Sequence, residues 1–199
     1  MLFRSRQKKS FSSKLSLRQC LDTENGFDLI YELRGQKFCT LEVRQIEGKI
    51  LVDYQGAPDE KYNRFNISFP VNPKEKIYGC GETYSKLDLK GEKVRIWVAE
   101  HQNAMRIGGK VIKQTINPRG IPKMAEKTLP FEKYESYYAQ PTFTSSDLWY
   151  AHVYTEDYCE FDFRKADKTT LRLQQPPHFV IESADSFTEL SAKMAGLLG

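Results

Sequence analysis

The sequence predicts an all-β chain, a large antiparallel β-sandwich with one α-helix at its C-terminal end. Short β-branched or aromatic runs follow one another from about Phe27 onward, separated by turn residues. Several of them alternate apolar and polar side chains with period two. Only the last stretch has a helical period, and strands at this density without intervening helices stack as two sheets. At 199 residues, 40% of them hydrophobic, the chain is long enough to bury one substantial core, which excludes disorder for most of it.

The elements follow in order. Residues 27–33, 38–46 and 49–54 are broken by Arg34-Gly35-Gln36 and then by Glu47-Gly48, the second resembling a tight hairpin turn, so the chain opens as a meander. From Arg64 to Phe69, Phe65, Ile67 and Phe69 face one way and Arg64, Asn66 and Ser68 the other, until Pro70 ends the run. Further strands are expected over 94–98, 111–116, 142–145, 148–154, 158–163, 169–173 and 178–182. Within 158–163, Phe161 and Phe163 point inward while Glu160, Asp162 and then Arg164 point to water. Residues 104–133, with Gly108-Gly109, Pro118, Gly120, Pro122 and Pro130, read as a long connection, of a kind that is usually functional or mobile. Ser186-Phe187-Thr188-Glu189 is a capping box, and Phe187, Leu190, Met194 and Leu197 then share one helical face. The organisation expected is a basic segment over 1–20, the sandwich over 21–185 and the helix over 186–199.

Charge narrows the partners. The formal net charge is +4, but residues 1–20 hold six bases, Arg4, Arg6, Lys8, Lys9, Lys14 and Arg18, and no acid. Of the 30 bases that leaves 24 for the body, against 26 acids, so the body is slightly acidic and nucleic acid is not an expected partner. The basic segment fits a solvated arm, a first strand or a transit peptide. No run of about 18 apolar residues is present, so neither a membrane span nor a signal-peptide core is expected. Cys20, Cys39, Cys80 and Cys159 form no C-x-x-C pair, and the pattern reads as four reduced thiols in a cytoplasmic protein.

Motifs for cofactors are lacking. Gly79-Cys80-Gly81 has no third glycine and no following helix, Gly108-Gly109-Lys110 lacks the phosphate-loop spacing, and no G-x-S-x-G elbow occurs. His101, His152 and His178 are far apart without an H-x-x-x-H partner, so no metal and no cofactor are expected. Two clusters stand out. Residues 134–143 place Tyr134, Tyr137, Tyr138 and Gln140 just after the long connection, and aromatic faces beside amides suit sugars, although a tyrosine-rich strand packing on its own core fits as well. Trp97 to Gln102 puts Glu100, His101 and Gln102 in succession at the entry to that connection, and a solvated strand end accounts for them equally.

The strings Ile77-Tyr78-Gly79-Cys80-Gly81-Glu82, Leu87-Asp88-Leu89-Lys90-Gly91, Ile96-Trp97 with Glu100, Tyr137 to Phe143, and Phe161-Asp162-Phe163-Arg164 occur in this order. Together they resemble the N-terminal domain of glycoside hydrolase family 31, the α-glucosidase family, and within it most the sulfoquinovosidase branch. The resemblance runs over about residues 27–199, with 104–133 composed differently and the first 20 residues matching poorly. It implies a galactose-mutarotase-like β-sandwich packed against a (β/α)-barrel that supplies both catalytic aspartates, and a barrel takes about 250 residues. Neither aspartate maps onto this chain, so no catalytic residue is expected in it. The resemblance implies substrate-binding roles for Glu100 and Gln102 on a loop over the barrel mouth and for Tyr138 and Gln140 on the strand beside it. Carbohydrate and the barrel of the same protein are the partners it implies, with the last helix leading toward the barrel. An independent carbohydrate-binding module is the alternative, and a mutarotase-like epimerase would need a carboxylate base and a histidine acid converging in one cleft.

Overall fold

The computed structural model describes residues 14–56, 64–82, 86–98 and 138–198. Among them the chain forms twelve strands and one helix. The strands are β1 (Ser16–Thr23), β2 (Gly26–Leu33), β3 (Gln36–Ile46), β4 (Lys49–Gln55), β5 (Phe65–Pro70), β6 (Ile77–Gly81), β7 (Lys93–Ile96), β8 (Ala139–Ser145), β9 (Trp149–Val153), β10 (Cys159–Lys165), β11 (Lys168–Leu173) and β12 (His178–Ser183), and the helix is α1 (Phe187–Leu198). An eight-stranded sheet runs β1-β2-β3-β4-β12-β9-β8-β6 and a four-stranded sheet runs β5-β11-β10-β7. Every pairing is antiparallel. This is the all-β sandwich the alternation predicts.

The opening meander is set by two turns of two residues each. Arg34 and Gly35 have φ of 53° and 81°, and Glu47 and Gly48 have 50° and 82°. Positive φ at both central positions makes a primed turn, whose twist matches that of the flanking strands. β1 begins inside the basic segment and pairs with β2 as the edge of the large sheet.

Between the sheets, Val52, Phe143, Ala151, Val153 and Phe179 of the large sheet meet Val94, Phe161, Phe163, Leu171 and Leu173 of the small one. Phe143 is the hub, with Phe163 at 5.0 Å, Phe161 at 5.1 Å and Trp149 at 5.6 Å, all edge-on, the arrangement that ring quadrupoles favour. On β10 the expected alternation holds for the phenylalanines. Glu160 and Asp162 on the opposite face are nevertheless buried, because Lys93, Arg95, Arg164 and Arg172 close over them.

α1 covers the outer face of the large sheet. Leu190, Met194 and Leu197 pack on Leu51, Tyr150 and Val180, and Lys193 donates to the Ser183 carbonyl at 2.8 Å. The capping box forms: the Glu189 N–H donates to Ser186 Oγ at 3.2 Å and the Glu189 carboxylate accepts the Asp185 N–H at 3.0 Å. Phe187 departs from the expected apolar face: it is 56% exposed and is not part of the cluster that Leu190, Met194 and Leu197 form with the sheet.

Candidate functional site

Leu87 to Gly91 and the start of β6, two of the strings singled out in the sequence, are braced against the core by shared contacts. In Asp88-Leu89-Lys90-Gly91, the Asp88 carboxylate accepts the N–H groups of Ile77 and Lys90, Leu89 is buried, and Gly91, with φ of 85°, donates to the Phe163 carbonyl. Lys90 Nζ lies 3.1 Å from Oε1 of Glu75, whose other oxygen accepts Ser145 Oγ at 2.6 Å and Trp149 Nε1 at 3.2 Å. Glu75 is only 2% exposed, and its charge is compensated inside the fold. The turn thus ties the start of β6 to β8, β9 and β10.

Gly79-Cys80-Gly81 makes β6 a strand that propensity does not reveal. Its three residues have φ of 105°, 66° and 88°, a left-handed run that costs little for glycine and is strained for Cys80. The register with β8 jumps between Gly79↔Phe143 and Gly81↔Ala139, so β8 bulges where Gln140 to Thr142 oppose Cys80. A Cβ on Gly81 would overlap the Tyr138 carbonyl, which is why a glycine stands there. The Glu82 N–H then donates to that same carbonyl at 2.9 Å. Burial pushes the Cys80 thiol well above its ordinary value, with neighbouring Cys159 adding to the effect, so it is an inert core group.

The bulge delivers Tyr138 and Gln140 to one end of the sandwich. There the end of β7 comes beside the start of β8, and the turn between β9 and β10 closes the gap. Ile96, Trp97, Val98, Ala139, Pro141 and Tyr158 line a hollow of about 290 Å³, bounded by Thr155 to Asp157. Beside Trp97 the second cluster contributes Ala139 and Pro141 to this lining, whereas Tyr138 and Gln140 are not among the lining residues. Trp97 and Tyr138 are 53% and 58% exposed, and Gln140 is half-buried on β8. Glu100 and Gln102 lie outside the described residues, as do residues 104–133 and the strand expected over 111–116.

A second arrangement was not found in the sequence. On the outer face of the large sheet Thr142 Oγ1 and His152 Nδ1 share a hydrogen bond of 2.7 Å, His152 meets Tyr154, Tyr154 meets His178 edge-on at 4.6 Å, and His178 Nδ1 lies 2.8 Å from Asp53. Burial holds His152 below its ordinary value, so it is neutral at pH 7. These residues come from β8, β9, β12 and β4, far apart in sequence, and only the strand order assembles them.

No family model matches the chain. The sulfoquinovosidase of Escherichia coli K12 is 30% identical over 156 residues, and that of Agrobacterium fabrum is 26% identical over 140. A family 31 sulfoquinovosidase from E. rectale, solved with an aza-sugar inhibitor, superposes with a TM-score of 0.69 at 25% identity over 93% of this chain. The chain resembles part of a glycoside hydrolase family 31 sulfoquinovosidase. It spans about a fifth of the length of the two sulfoquinovosidase relatives, 21% and 20%, and 26% of the E. rectale chain, whereas those relatives match 77% and 70% of it. An uncharacterized protein of Listeria monocytogenes, solved with glucose, magnesium and calcium, aligns with a TM-score of 0.56 at 13% identity, a likeness of fold alone. The strings that carry the likeness to sulfoquinovosidases are, among the described residues, mostly packing and turn devices. The buried acids Glu75, Glu160, Asp162 and Glu182 are each hydrogen-bonded or ion-paired within the domain.

Proposed function

We propose that the chain is the non-catalytic N-terminal β-sandwich of a retaining α-glycosidase of the sulfoquinovosidase type, and that it shapes the mouth of an active site whose catalytic barrel lies outside it. The observation that supports this reading is the mismatch of coverage: sulfoquinovosidases match most of this chain with only a fifth of their own length. The satisfied state of the buried acids supports it too. Retaining hydrolysis needs a nucleophile and an acid/base about 5–5.5 Å apart across the glycosidic bond, and the four acids buried among the described residues are instead held by Lys, Arg, Ser, Trp and Tyr donors of the sandwich itself. In this reading Glu100, Gln102, Tyr138 and Gln140 form the wall beside the leaving group, and α1, clamped to the large sheet through Leu190 and Lys193, carries the chain toward the barrel.

The DNA after the codon for Gly199 tests the reading. An open frame encoding a (β/α)-barrel agrees with it, whereas a stop codon leaves an independent carbohydrate-binding module as the better account, with Trp97 and Tyr138 as its exposed rings.

A further inference from the structure

We propose that the outer face of the four-stranded sheet binds a tetrahedral oxyanion of the phosphate or sulfate type, in the hollow between Arg64 and Arg172. The inference does not depend on the proposed function, since every residue it uses belongs to the sandwich itself.

Strand alternation builds the hollow. Phe65 and Ile67 of β5 and Leu171 and Leu173 of β11 pack toward the core, so Arg64, Asn66, Thr170 and Arg172 face outward. The antiparallel register sets Asn66 directly across from Arg172 and Ser68 across from Thr170. Arg64 stands two residues before Asn66, on the same face. The two arginines therefore flank one amide, and together with Glu160, Thr170 and Leu173 they line a hollow of about 380 Å³.

The donors come from several directions. Arg172 is held from one side, with Nη1 3.4 Å from Glu160 Oε2 and Nη2 2.9 Å from Asp162 Oδ2. A guanidinium carries five N–H donors, so those contacts fix the group without exhausting it. Arg64 and Asn66 are exposed and bring a second guanidinium and an amide N–H pair to the same hollow. Donors on opposite sides and beneath suit a group with three or more acceptor oxygens better than a planar carboxylate with two, and the guanidinium fork matches such an anion bidentately.

The sign of the field is set by groups in direct contact. Lys93, Arg95 and Arg172 lie 3.1, 3.4 and 3.4 Å from Glu160, and Arg164 and Arg172 lie 2.6 and 2.9 Å from Asp162. Four cations thus serve two carboxylates. The acids are sunk beneath them, with side chains 11% and 10% exposed against 37% for Arg95 and Arg172 and 56% for Arg164. Burial would raise the Glu160 carboxyl, yet it lies below its ordinary value, as a positive local field requires. An arriving anion meets a carboxylate that is already answered and a layer of positive charge above it.

A proton–nitrogen NMR titration of the 199-residue chain with inorganic phosphate, at pH 7 and constant ionic strength, tests this. Saturable shifts are expected at the amides of Asn66, Thr170 and Arg172, with a Kd in the low millimolar range, sulfate similar and acetate at least about five-fold weaker. Arg64→Gln, which lies outside the ion-pair network around Glu160 and Asp162, should raise the phosphate Kd by about five-fold or more, and Asn66→Asp, which sets a like charge between the arginines, by more again. The same spectra show that each variant is folded. Glycerol 3-phosphate distinguishes the source: an ester that binds more tightly than inorganic phosphate makes this a site for a phosphorylated metabolite, and one that binds equally or less tightly makes it a site for the free ion. The proposal is overturned if the phosphate shifts do not saturate by about 50 mM, if chloride at the same ionic strength reproduces them, if acetate binds as tightly, or if Arg64→Gln binds phosphate like the parent.

Discussion

Replacing Glu75 with alanine removes the one carboxylate that serves Lys90, Ser145 and Trp149 together. The Lys90 ammonium would remain, with a side chain only 14% exposed, its nearest counter-charge gone, and the Asn72 carbonyl at 3.3 Å as a neutral acceptor. The hydroxyl of Ser145 and the indole N–H of Trp149 would lose their acceptor as well. Breaking a buried pair by deleting one partner costs about 3–5 kcal/mol. With a urea dependence of about 2 kcal/mol per molar, the unfolding midpoint should fall by roughly 1.5–2.5 M. Tryptophan fluorescence reads it directly, since Trp149 touches the deleted group. Glu75→Ala combined with Lys90→Met removes the uncompensated charge and should recover part of the loss, a positive coupling on the double-mutant cycle. A midpoint within about 0.25 M of the parent for Glu75→Ala, or a double variant as unstable as the sum of the singles, would refute the view that Lys90 in the Asp88 to Gly91 string is a structural clamp.

Other outcomes follow from the same geometry. Burial alone would raise the Glu160 carboxyl, but hydrogen bonds from Tyr158 and Lys93 and the charges of Lys93 and Arg172 hold it below its ordinary 4.5. Asp162, hydrogen-bonded by Arg164, lies below 3.8. Since the unfolded chain binds these protons more tightly, the stabilisation is complete above about pH 5 and should be lost as pH falls through the depressed values; acid titration of the urea midpoint checks this, and a midpoint flat from pH 5 to pH 3 would contradict it. Thiol reagent at pH 7 should label exposed Cys20 readily. Cys39 and Cys159, whose thiols burial raises to about 11 and about 12, and buried Cys80 should react only on unfolding, with four thiols titrated in denaturant. If, as proposed, the chain is joined to a catalytic barrel and Glu100 contacts a leaving-group hydroxyl, Glu100→Ala in that enzyme should lower kcat/KM by about 10- to 150-fold on glycosides with a hydroxylated leaving group, the value of one charge-assisted hydrogen bond, and by less on aryl glycosides. A near-total loss on both would make Glu100 catalytic, and no change on either would make it a solvated strand end.

The sandwich was legible because its signals are local. Phe65, Ile67 and Phe69 alternate with polar neighbours, Glu47-Gly48 turns a hairpin in two residues, and Ser186 with Glu189 caps the helix. β6 was not legible, because its fold depends on three consecutive positive φ values and on a bulge in a strand some 60 residues away. The role of Asp88 to Gly91 was hidden for a related reason. Resemblance marked the string, but only tertiary contact with Glu75 and Phe163 shows that it braces the core. At the candidate site, sequence named Tyr138 and the Trp97 cluster separately. The antiparallel register of β6 on β8 and of β7 on β10 puts them at one end. The Thr155 to Tyr158 ridge carried no signal, since a turn of Thr, Glu, Asp and Tyr reads as any solvated connection.

The most direct measurement of the central claim is hydrolysis of an aryl α-sulfoquinovoside and an aryl α-glucoside by the purified 199-residue chain. The account predicts no turnover above the uncatalysed rate on either substrate, because the chain supplies a wall of the site and neither catalytic carboxylate. Turnover that disappears when a single Asp or Glu of this chain is changed to its amide would contradict it.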